Sequence, residues 1–128
     1  MWRSLLSDQI KSQERIKELG EVFTPSKLVL KMLAHLPRSV WQEGKTFIDP
    51  SCGNGNFLIE VAKRKKHRGH KIILETIFGV DIMPDNVAEC KTRLLEIVGD
   101  TESNRRVVDK NIVCADGTTY DFSFGEQS

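Results

Sequence analysis

The sequence predicts an α/β fold built on a short parallel sheet, and three observations carry that prediction. An apolar run at 46–48 ends in Asp49, passes through a tight turn holding Gly53 and Gly55, and enters an apolar-periodic segment at Phe57. That order is strand, glycine loop, helix, the first crossover of a nucleotide-type α/β fold. Two further apolar runs, 76–80 and 111–114, are each followed by an acid, Asp81 and Asp116, and a helical pattern lies between them.

The bulk composition agrees. A chain of 128 residues holds one domain with a real core. Hydrophobic content of 39% and charged content of 29% are those of a globular protein. No apolar run approaches the roughly 18 residues that a membrane helix needs. The N-terminus lacks the apolar centre of a signal peptide. Cys52, Cys90 and Cys114 form no C-x-x-C pair, which argues against a disulfide scaffold or a zinc site and points to a reducing cytoplasm. The net charge of +1 gives no support for holding DNA unaided, because phosphate contacts need a basic excess.

Taken in order, residues 7–19 read as a helix with a narrow buried stripe at Ile10, Ile16 and Leu19, ended by Gly20. A second helix follows, with Thr24 as N-cap and Pro25 at its first position, where a missing N–H costs nothing. Leu28, Val29, Met32, Leu33 and Leu36 share its apolar face, and Pro37 stops it. Locally, Thr24-Pro25 reads as helix capping. Trp41, in the connection that follows, is expected to pack on the domain.

The first strand spans 45–48. The helix after the glycine loop runs over 56–66, with Phe57, Leu58, Val61 and Ala62 inward. It ends in the basic run 63–68. Such a run reads first as a solvated helix end, where cations are favoured, and second as a nucleic-acid patch. Residues 71–76 are ambiguous between helix and connection. The second strand covers 76–81. Pro84 opens the next helix, with Asp85 in its first turn and Val87, Cys90, Leu94, Ile97 and Val98 inward, and Gly99 ends it. Residues 101–109 read as a polar loop with a short helical turn. Asn111 to Cys114 form the third strand. In the tail, Tyr120, Phe122 and Phe124 alternate with small or polar residues, the pattern of an extended strand.

Parallel strands joined by helical crossovers bring their C-terminal ends to one edge, where open α/β sheets bind ligands. Here that edge carries Asp49, Asp81 and Asp116, three acids in register beside a glycine loop. The arrangement suits a nucleoside. An acid after the second strand can accept both ribose hydroxyls, and one after the third can accept from an adenine amino group.

At these residues the chain resembles a family. Asp49-Pro50-Ser51-Cys52-Gly53-Asn54-Gly55-Asn56-Phe57 closely resembles the D-P-x-x-G-x-G-x-F loop of N6-adenine DNA methyltransferases, in their type I modification-subunit and related type II branches. Gly20-Glu21-Val22-Phe23-Thr24-Pro25 is similar to the G-x-x-F-T-P motif that precedes that loop. Gly79-Val80-Asp81-Ile82 resembles the family's ribose-binding strand end, and Cys114-Ala115-Asp116 its adenine-contacting one. The resemblance covers about residues 20–117.

The resemblance implies a partial class I methyltransferase, Rossmann-like sheet of about three parallel strands with flanking helices and an N-terminal helical segment. Residues 1–40 would be that segment and 41–128 half of an S-adenosylmethionine-binding domain, together one compact unit. The implied cofactor is S-adenosyl-L-methionine. Phe23 and Thr24 would lie by its carboxylate. Asp49, Pro50, Gly53 and Gly55 would hold the methionine end, with Asp49 near the ammonium. Asp81 would bind the ribose hydroxyls, Ile82 would pack on the adenine, and Asp116 would accept from its amino group. The family often carries an aromatic residue after that last acid; this chain has Gly117.

The family's N/D-P-P-Y/F motif, which grips the target adenine, does not occur in this sequence, so no residue here is a catalytic candidate. The sequence therefore reads as the cofactor half of a split or truncated adenine methyltransferase. The other reading is a non-catalytic S-adenosylmethionine-binding regulatory or assembly subunit. A dehydrogenase-type dinucleotide domain fits less well, because the third glycine of G-x-G-x-x-G would fall at Leu58. In the full fold the first strand pairs with a fourth. Its apolar edge here is expected to recruit a second copy or a partner protein, through which alone DNA would be reached.

Overall fold

The computed structural model describes residues 25–125. The helix expected over 7–19 and the motif residues Phe23 and Thr24 lie outside the described residues. The elements run α1 (Ser26–Ala34), a 3-10 turn (Arg38–Trp41), β1 (Phe47–Asp49), α2 (Asn56–His67), a 3-10 turn (Leu74–Thr76), β2 (Ile77–Asp81), α3 (Pro84–Val98), α4 (Glu102–Asn111) and β3 (Ile112–Cys114). The three strands are parallel in the order β1-β2-β3. The expected α/β architecture with a three-stranded parallel sheet is therefore present.

The helices pack where their apolar stripes demand. α2 buries Leu58, Ile59, Val61 and Ala62, and α3 buries Val87, Cys90 and Leu94. These meet Ile77 and Ile112 of the sheet, with Val29 and Leu33 of α1 behind α2, in one continuous core. Phe57, expected inside, is only partly buried, while Ile59 takes an inner place. Trp41 packs on the domain as expected, 5.1 Å from the Phe47 ring. Gly79 makes this packing possible: a Cβ there would sit 2.8 Å from Leu58 Cδ1 and 3.0 Å from Cys52 Cβ.

Several expectations are corrected. Pro25 is the cap of α1 rather than its first helical residue; its backbone is extended (ψ 145°) and its carbonyl accepts from Leu28 and Val29, each at 3.0 Å. Leu36 lies beyond α1 and is exposed. Residues 102–111 form a full helix, not a loop. Thr101 caps it by accepting the Asn104 N–H at 3.0 Å, and Val108 anchors it to the core. Lys65, in the middle of the basic run, is not on a solvated face. It is fully buried, donating to the Lys45 carbonyl at 2.6 Å and to Thr76 Oγ1 at 2.8 Å, with its ammonium 5.1 Å from the centre of the Phe47 ring.

The tail is not a strand. Phe122 and Phe124 take positive φ (57° and 44°), which breaks any extended run. Phe124 folds back onto Phe78 at 4.8 Å and is itself buried. Side chains alternate along a strand, so Phe78 faces away from the side on which Gly79 meets α2. The tail thus covers part of the sheet's second face rather than pairing with the edge of β1. On that face a groove of about 450 Å³ runs between Ile48, Phe78, Lys110 and Phe124.

Candidate functional site

The loop that follows β1 is fixed from three sides. Asp49 closes the strand and accepts the Ser51 N–H at 3.0 Å. The Cys52 N–H donates to the Val80 carbonyl at 2.8 Å, which extends the β1–β2 pairing into the loop. Gly53 and Gly55 have φ of +55° and +94°, the left-handed region that favours glycine. For Gly55 the lack of a side chain has a second reason, and it faces the protein rather than a ligand: a Cβ would sit 2.7 Å from Cys90 Sγ on α3. Gly55 also occupies the cap position of α2, so no side chain caps the first turn of that helix. The turn's positive end is thereby turned toward the loop.

Asp81, the last residue of β2, is the hub. Its Oδ1 accepts the Gly53 N–H at 3.1 Å. Its Oδ2 accepts the Met83 N–H at 3.1 Å and the Asn86 amide at 3.0 Å. Asp81 as a whole is 6% exposed. A carboxylate offers about four acceptor sites, and three are used here, leaving one on Oδ1. This is a tighter count than the sequence implied, which gave Asp81 two free sites for two hydroxyls.

The acids share one edge, but they are not level. Asp49 lies beside Gly79, and Asp81 beside Cys114. Each acid therefore stands two residues further along than its neighbour's, a step of about 7 Å per strand at the usual rise. A step of two preserves the face, so Asp49 and Asp81 both lie on the side of the sheet that carries α2. Asp116 sits beyond β3 in the open. Its Oδ1 accepts the Thr118 hydroxyl at 2.6 Å and the Thr118 N–H at 2.9 Å, and these two bonds, the hydroxyl first, hold its carboxyl below the usual aspartate range.

Ile82 is exposed at 54%, an apolar surface beside the edge, and Pro50 is exposed as well. Gly117 replaces the aromatic residue that the resemblance led us to expect. A Cβ at Gly117 would collide with the Pro50 carbonyl oxygen, so the loop after β3 rests directly on the loop after β1. Cys52 is not a nucleophile candidate. A hydrogen bond with the Cys90 thiol and burial both push its thiol well above the ordinary range, so it stays protonated, and the protonated thiol, unlike a thiolate, is not a nucleophile. Among the described residues no cluster of His, Cys, Asp or Glu could hold a metal ion.

The sequence reading missed the groups that brace the loop from α3. Asn54 donates to Glu89 Oε2 at 3.2 Å, and Arg93 donates to the Asn54 carbonyl at 3.0 Å and to Asn56 Oδ1 at 2.8 Å. The available signal was the i, i+4 spacing of Glu89 and Arg93, which places them on one helix face.

Comparison with known proteins decides the family. The family model described as N-6 DNA Methylase matches residues 5–119, most of the chain. The chain belongs to the N-6 DNA methylase family. Over 104 residues it is 35% identical to the Type II methyltransferase M.VspI of Vibrio sp. (strain 343). That alignment takes in 81% of this chain and 22% of the Vibrio protein, so the chain spans about a fifth of its relative's length. No solved structure matches it significantly. The segment matched by the N-6 DNA methylase family model takes in the glycine loop, Asp81 and Asp116. Methyltransferases of this kind generally use S-adenosylmethionine. The basic end of α2 lies about 18 Å from the loop at the usual helical rise, at the opposite edge of the sheet. It is thus remote from the glycine loop and the strand-end acids. Among the described residues no helix is long and apolar enough to cross a membrane.

Proposed function

We propose that this chain binds S-adenosyl-L-methionine and serves as the cofactor half of an N6-adenine DNA methyltransferase. The observation that carries the reading is the bond between Asp81 and Gly53, which sets a strand-end acid against a glycine loop within a chain of this family. The residues suit such a ligand. Asp49, half-buried at the end of β1, is an acceptor for an ammonium. The uncapped first turn of α2 favours a carboxylate. Oδ1 of Asp81 has one site for a ribose hydroxyl. Ile82 offers a flat base an apolar surface, and Asp116 an acceptor for an amino group. Pro50, Gly53 and Gly55 shape the loop around the methionine end, and by the family resemblance Phe23 and Thr24 would lie by its carboxylate.

The cofactor supplies an electrophilic methyl group when bound. This chain's residues hold and orient it. The grip on the target adenine comes from outside these 128 residues, since the sequence holds no N/D-P-P-Y/F. A second polypeptide that covers the β1 edge would supply it, and with it the contact to DNA. β1 is an edge strand among the described residues, and Ile48 on it is 51% exposed.

Calorimetry with S-adenosylmethionine and with NAD tests the first claim. Binding of the former alone is expected; failure to bind it sinks the reading. Transfer of labelled methyl groups to adenine-containing DNA tests the second. The chain alone should transfer none, and transfer by the chain alone would overturn the division of labour. Sedimentation at micromolar concentration tests the third, where a lone monomer would count against a covered edge.

A further inference from the structure

The glycine loop is held by two separate mechanisms. One is the strand-end acid already described. The other comes from α3 and uses none of the residues to which a cofactor contact has been given. Asn54, between the two glycines, is 5% exposed. Its amide nitrogen donates to Glu89 Oε2 at 3.2 Å, which fixes the orientation of the amide, because the flipped form would set two oxygens together. Its backbone carbonyl accepts from Arg93 Nη1 at 3.0 Å, and the same nitrogen reaches Asn56 Oδ1 at 2.8 Å. Arg93 therefore spans the second glycine, gripping the loop on both sides of Gly55.

One further observation accords with this grip. Oδ1 of Asn54 is buried with no hydrogen-bond partner. Buried polar atoms are ordinarily paired, and an unpaired one persists where the surroundings over-determine the geometry. Here Glu89, Arg93 and the close seat of Gly55 on Cys90 over-determine it.

We propose that Glu89 and Arg93 are positioning residues for the cofactor loop. They set the loop's backbone from behind, through Asn54, so that it is preformed when the ligand arrives. The proposal rests on the cofactor reading given above, and it adds two residues outside the family's motifs. Preformation lowers the ordering cost of binding, so loss of either residue should weaken affinity more than it weakens the fold.

The test uses Glu89→Ala, Glu89→Gln, Arg93→Ala and Arg93→Lys in the 128-residue chain. Three quantities are read: thermal midpoint, affinity for S-adenosylmethionine by calorimetry, and exchange of the Gly53 and Gly55 amides in the ligand-free protein. Both alanine variants should bind about tenfold more weakly, the worth of one charge-assisted hydrogen bond. Their thermal midpoints should stay close to wild type, and the two amides should exchange faster. Glu89→Gln, which keeps an acceptor for Asn54, should restore affinity. Arg93→Lys should restore it only in part, because the lysine side chain is one bond shorter and brings its ammonium short of the Nη1 position that both acceptors share. Unchanged affinity, or affinity lost only in step with the thermal midpoint and without rescue by Glu89→Gln, overturns the proposal. If wild type fails to bind the cofactor, the exchange arm still decides. Faster exchange upholds the brace while the cofactor reading falls; unchanged exchange removes both.

Discussion

The carboxylate of Asp81 accepts the backbone N–H of Gly53 at 3.1 Å, across 28 residues of sequence. The bond ties the C-terminal end of β2 to the loop that follows β1. It makes one residue responsible for the shape of the loop and, on the proposed reading, for a contact with the cofactor as well. Asp81→Asn should therefore act before any ligand is present. One carboxylate oxygen becomes a donor in a place where three donors already converge. Unfolding free energy in urea should fall by about 1–3 kcal/mol, the cost of leaving a buried partner unsatisfied. For Asp81→Ala, calorimetry should show S-adenosylmethionine binding weakened by about 1–3 kcal/mol. Unchanged affinity would reject the ribose assignment.

The contact between Gly55 and Cys90 predicts a specific coupling. Gly55→Ala meets two obstacles, a positive φ worth roughly 1–2 kcal/mol and a collision with Cys90 Sγ. Cys90→Ala relieves the second, leaving only the milder approach of the residue-90 Cβ at 3.2 Å. The double variant should be more stable than the sum of the single effects by at least about 0.5 kcal/mol, measured by denaturant unfolding in a double-mutant cycle. Strict additivity would show that the thiol does not abut the loop.

The tail offers a contrast between neighbouring aromatics. Phe124 is 5% exposed and Phe122 is 40% exposed. Phe124→Ala should cost about 3 kcal/mol, as other buried phenylalanines do, and Phe122→Ala much less. Similar losses at both positions would mean that the tail is held in some other way.

Lys65 gives the pH prediction. Burial pulls its ammonium below the ordinary lysine value of 10.5, against a weaker opposing pull from Glu43. Below the folded-state value both states carry the proton. Between that value and 10.5 the unfolded chain binds more protons than the folded one, so this group makes stability rise with pH across the window and level off above it. Lys65→Met keeps the length and removes the proton. Urea unfolding at a series of alkaline pH values should show a smaller upward contribution in the variant than in wild type; identical profiles would refute the assignment.

The sequence was most informative where the chain obeys a period or a motif. The strands, α2 and α3 are legible because Leu58, Val61 and Ala62, and likewise Val87, Cys90 and Leu94, recur at helical spacing. The loop was legible because its glycines stand beside an acid. The misses have physical causes. α4 carries its helix on the Thr101 cap and on Val108, too few apolar residues for a periodic signal. Lys65 looks solvated because its neighbours are, and only the Lys45 carbonyl and Thr76, remote in sequence, reveal a polar seat inside the core. The reason for Gly55 was hidden for the same cause, since Cys90 is 35 residues away. The brace of Glu89 and Arg93 on Asn54 is likewise tertiary.

The seat of Gly117 on the Pro50 carbonyl has a consequence for how such chains can diverge. The obstacle is backbone, so no trimming of a neighbouring side chain opens room for a larger residue. A relative that carries an aromatic residue at this place must set the two loops further apart. The spacing of two loops 67 positions apart is therefore matched to the residue at 117, and a graft that brings a side chain there must bring the wider spacing with it.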